Sequence, residues 1–159
     1  MEAVNPRRLG VVALTAAAYV TLTMLFHPIS YGPVQVRVAE ALTVLPYVGQ
    51  LAIPGLFLGC LLANLLGGWG VYDVVLGSAA TLVAALLTRK MPRPWLAPLP
   101  PVVVNAVVVG AYLSYLAGLP YFWTALYVGL GQLVACYGLG YPLLLAVLRR
   151  PRWRAYLDR

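Results

Sequence analysis

The fold is decided by "PPVVVNAVVVGAYLSYLA", residues 100–117. These eighteen residues contain no charged side chain, and Asn105 is their only amide. A helix that crosses the hydrocarbon core of a bilayer needs roughly 17 to 25 mainly apolar residues. Because lipid offers no partners for backbone hydrogen bonds, such a stretch must satisfy them internally. The sequence therefore predicts a membrane-spanning helix here.

The composition of the whole chain points the same way. Of its 159 residues, 62% are hydrophobic and 9% are charged, whereas soluble proteins are about 25% charged. The net charge of +7 comes from residues that lie between apolar runs. A nucleic-acid site would instead gather them on one folded face, so no nucleic-acid partner is expected. We predict one integral membrane domain over residues 1–159, surrounded by lipid.

Six apolar segments are candidate spans. The second and third are short, so they are expected to be tilted, irregular or partly covered by neighbours. The sequence thus predicts an all-α bundle of six transmembrane helices, near residues 9–26, 34–48, 51–66, 71–88, 100–117 and 124–148.

Basic residues set the predicted orientation. Clusters at Arg7 and Arg8, at residues 89–93 and at residues 149–154 all fall on one side if the chain crosses six times. Positive charge is enriched on the cytoplasmic side. Both termini are therefore predicted to be cytoplasmic, in a multi-pass protein of a prokaryotic plasma membrane.

Small residues recur at every fourth position in three of the segments, and such stripes let helix backbones approach closely. One interpretation is packing inside the bundle. The other is docking of a second membrane protein. The stripes comprise Ala13 and Ala17 in the first segment, Gly55, Gly59, Ala63 and Gly67 in the third, and Ala106, Gly110, Ser114 and Gly118 in the fifth.

Polar residues inside the spans gather toward the predicted outer side, with Asn105 as the exception. Arg37 and Glu40 are three residues apart and are expected to share a helix face. A charge in the bilayer is costly, so the two either form a structural pair or face a cavity that holds a polar solute. Asp73 either joins that site or stabilises a helix N-terminus. The other members are Gln35, Asn64, Tyr112 and Gln132.

Enzyme chemistry is not expected. The sequence contains one histidine, no G-x-x-x-x-G-K-[ST] phosphate loop, no paired carboxylates within one segment and no nucleophile motif. Neither a metal nor a cofactor is predicted. Cys60 and Cys136 lie inside apolar segments and are interpreted as small buried residues.

The strings "HPISYGPVQVRVAEALTVLPY", residues 27–47, and "AIPGLFLGCLLANLLGGWGVYDVVLGSAATLVAALL", residues 52–87, resemble the QueT family. These proteins are the queuosine-precursor substrate-binding (S) components of energy-coupling factor (ECF) transporters. The resemblance covers nearly the whole chain. Ala39 departs from it, since a serine is expected there. The resemblance implies a six-helix S component that works with a transmembrane coupling subunit and two cytoplasmic ATPases. It also implies that Ala13 and Ala17 dock the coupling subunit.

The ligand implied by the resemblance is a 7-deazaguanine such as preQ1, or queuine or queuosine. Glu40 would accept hydrogen bonds from the donor edge of the base, and Asp73 would pair with an aminomethyl cation. Donors to the ligand would come from Arg37, Gln35, Asn64 or Gln132, and stacking partners from Tyr31, Tyr72, Tyr112 or Trp123.

Three alternatives remain open at this point. The chain is an S component for another vitamin-like heterocycle, or a membrane scaffold or channel without ATPase coupling, or, third, a membrane-embedded enzyme. Co-purification with an ATPase module separates the first two, and turnover in detergent identifies the third.

Overall fold

The chain forms a bundle of helices. The computed structural model describes residues 6–31, 35–68, 70–150 and 157, and all regular structure there is helical. The prediction of an all-α fold is confirmed. The chain ends, on which the prediction of cytoplasmic termini falls, lie mostly outside the described residues. The α-helices are α1 Pro6–Leu25, α2 His27–Ser30, α3 Ala52–Gly67, α4 Ser78–Arg89, α5 Leu99–Ala117, α6 Tyr121–Leu133 and α7 Tyr141–Leu148.

The second apolar segment differs from the helix predicted over 34–48. Its described part is a 3₁₀ helix, Val38–Tyr47. The Thr43 hydroxyl donates to the backbone carbonyl of Glu40 at 2.6 Å, and such local side-chain bonds compete with the α-helical ladder. Because a 3₁₀ helix rises about 2.0 Å per residue, these ten residues extend about 20 Å. With this tighter winding, a short segment spans a greater length along its axis than an α-helix of the same number of residues would.

Two other helices contain π-helical turns. Asp73–Gly77 precedes α4, and Val134–Gly140 joins α6 to α7. Residues 71–89 and 121–148 are thereby helical without a break. The second π segment ends just before Pro142, which has no N–H to donate to the carbonyl one α-turn earlier. These turns are common at functional sites, and the first of them carries Asp73.

The outer surface of the bundle is apolar. Three helical runs are long and apolar enough to cross a membrane: Pro6–Leu25, Pro94–Ala117 and Tyr121–Leu148. Val38–Tyr47 and Ala52–Gly67 are apolar but shorter. Large side chains point outward, for example Leu14 at 70% and Phe122 at 69% exposure. A surface of this kind is typical of a protein whose helices contact lipid.

Glycines bring the backbones of neighbouring helices together. A Cβ on Gly59 would lie 2.8 Å from the Cβ of Tyr19, and one on Gly110 would lie 2.7 Å from the Cα of Ala125. The stripes of α3 and α5 therefore serve packing against α1 and α6, which agrees with the first interpretation. Ala13 and Ala17 differ, since both are exposed on α1.

The two ends of the bundle have different compositions. At one end, Val48, Ala97, Val147 and Leu157 form an apolar cluster, and Val11 packs against it. These residues adjoin the basic positions at 89–93 and 149–150. At the opposite end, Gly67 faces His27 and the rings of Tyr72 and Tyr115 lie 6.4 Å apart. Successive segments thus run in alternating directions between a basic end and a distal end.

Candidate solute-binding site

Arg37 lies between the helices, buried from solvent. It precedes the 3₁₀ helix in an extended conformation, with φ −90° and ψ 100°. Its guanidinium forms an ion pair with the Asp73 carboxylate, at an N–O distance of 3.9 Å. The expectation that Arg37 and Glu40 share a helix face is wrong, because the helix begins only at Val38. The ion pair of Arg37 instead links two segments of the bundle.

The Tyr31 ring lies against the Arg37 guanidinium. The Arg37 Cζ atom lies 4.8 Å from the centroid of the Tyr31 ring, within the range of a cation–π contact. The Tyr31 hydroxyl donates to the carbonyl of Ala63 at 2.9 Å. Burial raises the pKa of this hydroxyl to about 12, so it stays a neutral donor at physiological pH. Tyr31 therefore fixes the arginine against α3.

Asp73 joins three segments. The Tyr112 hydroxyl of α5 donates to its carboxylate, and the Asn64 amide of α3 donates to its backbone carbonyl at 2.8 Å. The structure thus brings together five of the predicted site residues, which we call the charged network: Tyr31, Arg37, Asn64, Asp73 and Tyr112.

Glu40 forms the second polar group, together with Tyr19 and Asn105; we call it the glutamate group. The Tyr19 hydroxyl of α1 donates to Glu40 Oε1 at 2.5 Å. The Asn105 side chain of α5 lies close to the same carboxylate. Glu40 Oε2 has no hydrogen-bond partner in the part of the chain that the structure describes. One carboxylate oxygen is therefore available to a ligand.

Gln132 adjoins the glutamate group from α6. Its Oε1 atom lies 3.6 Å from Cys136 Sγ, which lies 3.6 Å from the Glu40 carbonyl oxygen. Gln35 is also buried, and its Nε2 atom has no hydrogen-bond partner within residues 6–31, 35–68, 70–150 and 157. Trp123 is apart from both groups: it is 54% exposed and contacts the Phe122 ring. The structure does not bring it to the polar residues.

Cys60 is a further residue of the site, and the sequence analysis did not identify it as one. Its buried sulfur is contacted by three donors: the Arg37 guanidinium at 3.8 Å, the Asn64 amide at 3.4 Å and the Thr81 hydroxyl at 3.2 Å. Because sulfur is a weak hydrogen-bond acceptor, these three donors can still bind a stronger acceptor, such as an oxygen atom. The spacing of Cys60 and Asn64, one α-turn apart, was a usable signal.

Tyr19 was also missed. It is fully buried, and it stands midway between Thr15 and Thr23, whose hydroxyls donate to the carbonyls four residues earlier. A polar residue on every turn of one face of an apolar helix indicates a face turned to the protein interior. The polar face formed by Thr15, Tyr19 and Thr23 was thus a sequence signal for the position of the glutamate group.

The fold and these two groups define a membrane protein whose helices enclose hydrogen-bonding and charged side chains. A polar solute is the natural partner of such an interior. The chain belongs to the QueT transporter family, whose model matches residues 9–149. The resemblance is thus confirmed, and so is the prediction of a transport protein that is not an enzyme.

One curated relative is the queuosine precursor transporter QueT of Lactococcus lactis subsp. cremoris (strain MG1363). It is 40% identical over 74 residues. That stretch covers 45% of this chain and 43% of the relative, so the match spans less than half of either protein. No solved structure matches the chain.

Proposed function

We propose that the chain is the substrate-binding S component of an ECF-type importer that captures a queuosine precursor from outside the cell. The ligand is a 7-deazaguanine such as preQ1, or queuine or queuosine. The protein crosses the plasma membrane six times with both termini in the cytoplasm. Family membership and the name of the Lactococcus relative support the ligand class.

The observation that carries the proposal is Glu40 Oε2, a buried oxygen inside an apolar bundle that has no partner among the described side chains and backbone groups. Leaving a buried acceptor without a donor costs about 1–3 kcal/mol, so a structural carboxylate is expected to be fully bonded. A guanine-type base presents a ring N–H and an amino group on one edge. These donors satisfy the acceptor when the ligand is bound.

The carbonyl oxygen of such a base lies next to the ring N–H, and it needs hydrogen-bond donors. Arg37, Asn64 and Thr81 converge on Cys60 Sγ. A carbonyl oxygen is a better acceptor than a thiol, and it would gain a charge-assisted bond from the guanidinium. The charged network and the glutamate group thus offer donors to the carbonyl oxygen and acceptors to the adjacent N–H groups of one ligand.

The exposed pair Ala13 and Ala17 supports assembly with a coupling subunit. Ala13 lies in the half of α1 nearer the basic end, where Val11 joins the apolar cluster, and Ala17 follows one turn further along. The buried face of the same helix, at Ala16 and Tyr19, is occupied by α3. The alanine face is therefore available to a partner helix, and the partners are the transmembrane coupling subunit and two cytoplasmic ATPases.

Calorimetric titration tests the ligand class. Purified protein in detergent is titrated with preQ1, queuine, queuosine and, as a control, thiamine. Saturable binding of at least one of the first three, without binding of thiamine, is expected. Binding of thiamine alone would favour an S component for another vitamin-like heterocycle. Failure of all four ligands to bind would remove the proposal.

A further inference from the structure

The glutamate group contains a second buried acceptor without a partner. Glu40 and Asn105 are 1% and 2% exposed. Among the described residues, neither Glu40 Oε2 nor Asn105 Oδ1 has a hydrogen-bond partner. Buried side-chain oxygens are bonded in the large majority of cases, so two such atoms on neighbouring side chains are unusual. They lie on different elements, the 3₁₀ helix and α5.

The orientation of the Asn105 amide is set by Glu40. The carboxylate is acceptor-only when ionised, and only the amide nitrogen of asparagine can donate. The Asn105 amide lies close to Glu40, and it can donate to the carboxylate only with its nitrogen turned that way. A flipped amide would bring two oxygens together. The amide oxygen Oδ1 is therefore the atom of this side chain that faces away from the carboxylate.

The Glu40 carboxylate alone cannot accept hydrogen bonds from two ligand donors through two free oxygens. Tyr19 already donates to Oε1 at 2.5 Å, which leaves Oε2 as the unpartnered oxygen. A ligand edge with two adjacent N–H donors needs a second acceptor close by. Asn105 Oδ1 supplies one from α5.

We propose that Asn105 is a specificity-determining residue, whose Oδ1 atom accepts a hydrogen bond from the exocyclic amine of a 2-amino-pyrimidinone ring while Glu40 Oε2 accepts one from the adjacent ring N–H. This inference rests on the proposed function and deepens it. It makes the 2-amino group the feature by which the site selects its ligand. A heterocycle with a single donor on this edge leaves one oxygen unpaired.

The experiment compares 7-deazaguanine with 7-deazahypoxanthine, which lacks only the exocyclic amine. Dissociation constants are measured by calorimetry on purified protein. Wild-type protein is expected to bind 7-deazaguanine about tenfold to a hundredfold more tightly, the factor typical of one buried hydrogen bond. Asn105→Leu is expected to bring the two constants within about threefold of each other, because no acceptor then reads the amine.

Asn105→Asp separates the proposed role from a structural one. It keeps an oxygen at the Oδ1 position but loses the N–H that donates to Glu40. The wild-type preference is therefore expected to persist in Asn105→Asp and to vanish in Asn105→Leu. If Asn105→Leu does not fold, Asn105→Ser, which is too short to reach the ligand, replaces it with the same expectation.

Two results overturn the inference. The first is a wild-type preference that survives in Asn105→Leu or Asn105→Ser. The second is an equal loss of preference in the leucine and aspartate variants, which indicates a role in positioning Glu40. If wild-type protein binds neither these compounds nor any queuosine precursor, the proposed function fails and this inference fails with it.

Discussion

Arg37 and Asp73 are a buried ion pair that no spacing in the sequence predicts. They are separated by all of α3, and they meet because the residue before the 3₁₀ helix faces the π turn that precedes α4. Their side chains are 8% and 0% exposed. Removing one partner of such a pair leaves a buried charge uncompensated.

Asp73→Asn is therefore expected to destabilise the protein by about 3 kcal/mol, the lower part of the range for breaking buried pairs, because the 3.9 Å separation is long. Thermal unfolding in detergent measures the effect. Arg37→Met combined with Asp73→Asn should restore part of the loss. The exposed Arg93→Met is the control and should not change stability. Equal stability of wild-type protein and Asp73→Asn would contradict a structural contribution from the pair.

Glu40→Gln tests the acceptor role of the carboxylate. The variant replaces one oxygen with a donor that faces the ligand's own donors. Affinity for a 7-deazaguanine should fall about tenfold to over a hundredfold, since a charge-assisted contact is worth about 1.5–3 kcal/mol. Calorimetry on folded protein measures it. An unchanged dissociation constant with lower thermal stability would make Glu40 a structural residue and move the site toward Asn64, Asp73 and Gln132.

For single residues, the sequence predicts which polar side chains belong to the site but not which side chains they contact. Arg37 and Glu40 were recognisable because charge inside apolar runs is costly. Their partners Asp73 and Tyr19 depend on the placement of separate helices, which hydropathy does not encode. Asn105 looked misplaced by depth, and it proves to be the neighbour of Glu40.

Among the elements, α1 and α3 pack closely against each other. The small residues of α3 predicted it. We expect Gly59→Ala to lower the melting temperature, because the new Cβ would lie 3.0 Å from the Ala16 backbone and overpacking costs about 1–3 kcal/mol. Gly138→Ala is the matched control, since a Cβ there meets nothing within 4 Å. A Gly59→Ala protein as stable as the control would contradict this packing.

Ala13→Leu tests the alanine face of α1. Because Ala13 is exposed, the variant should keep wild-type thermal stability and ligand affinity. Its larger side chain should hold a partner helix away and weaken co-purification with the coupling subunit and ATPases. Ala16→Leu, at a buried position against α3, is the comparison and should lose stability. Normal assembly of the Ala13→Leu protein would exclude this face from docking.

The helical type of each segment was less predictable than its position. Apolar runs locate the elements, because their length and composition reflect the lipid they contact. The 3₁₀ helix Val38–Tyr47 and the π turns depend on which carbonyl each N–H selects. That choice rests on features such as the Thr43 hydroxyl and Pro142, which a hydropathy pattern does not distinguish.

For the whole molecule, the gathering of basic residues at one end predicts its orientation. Arg93→Cys and Leu119→Cys lie at opposite ends of α5. On intact cells, a membrane-impermeant maleimide should label Leu119→Cys and should label Arg93→Cys only after permeabilisation. The wild-type chain is the unlabelled control, because Cys60 and Cys136 are fully buried. Labelling of both variants from outside would overturn the orientation.

The π segment Val134–Gly140 has a consequence for chain length. A π turn accommodates one residue more than an α-turn does, so this helix carries a surplus residue between Gln132 and α7. Deleting Gly138 would let the segment revert to α-helix without shortening either flank. The same deletion within α5 would rotate every later side chain by about 100°. Single-residue gaps between relatives are therefore best tolerated at the π turns, where insertion and deletion leave both flanking helices in register.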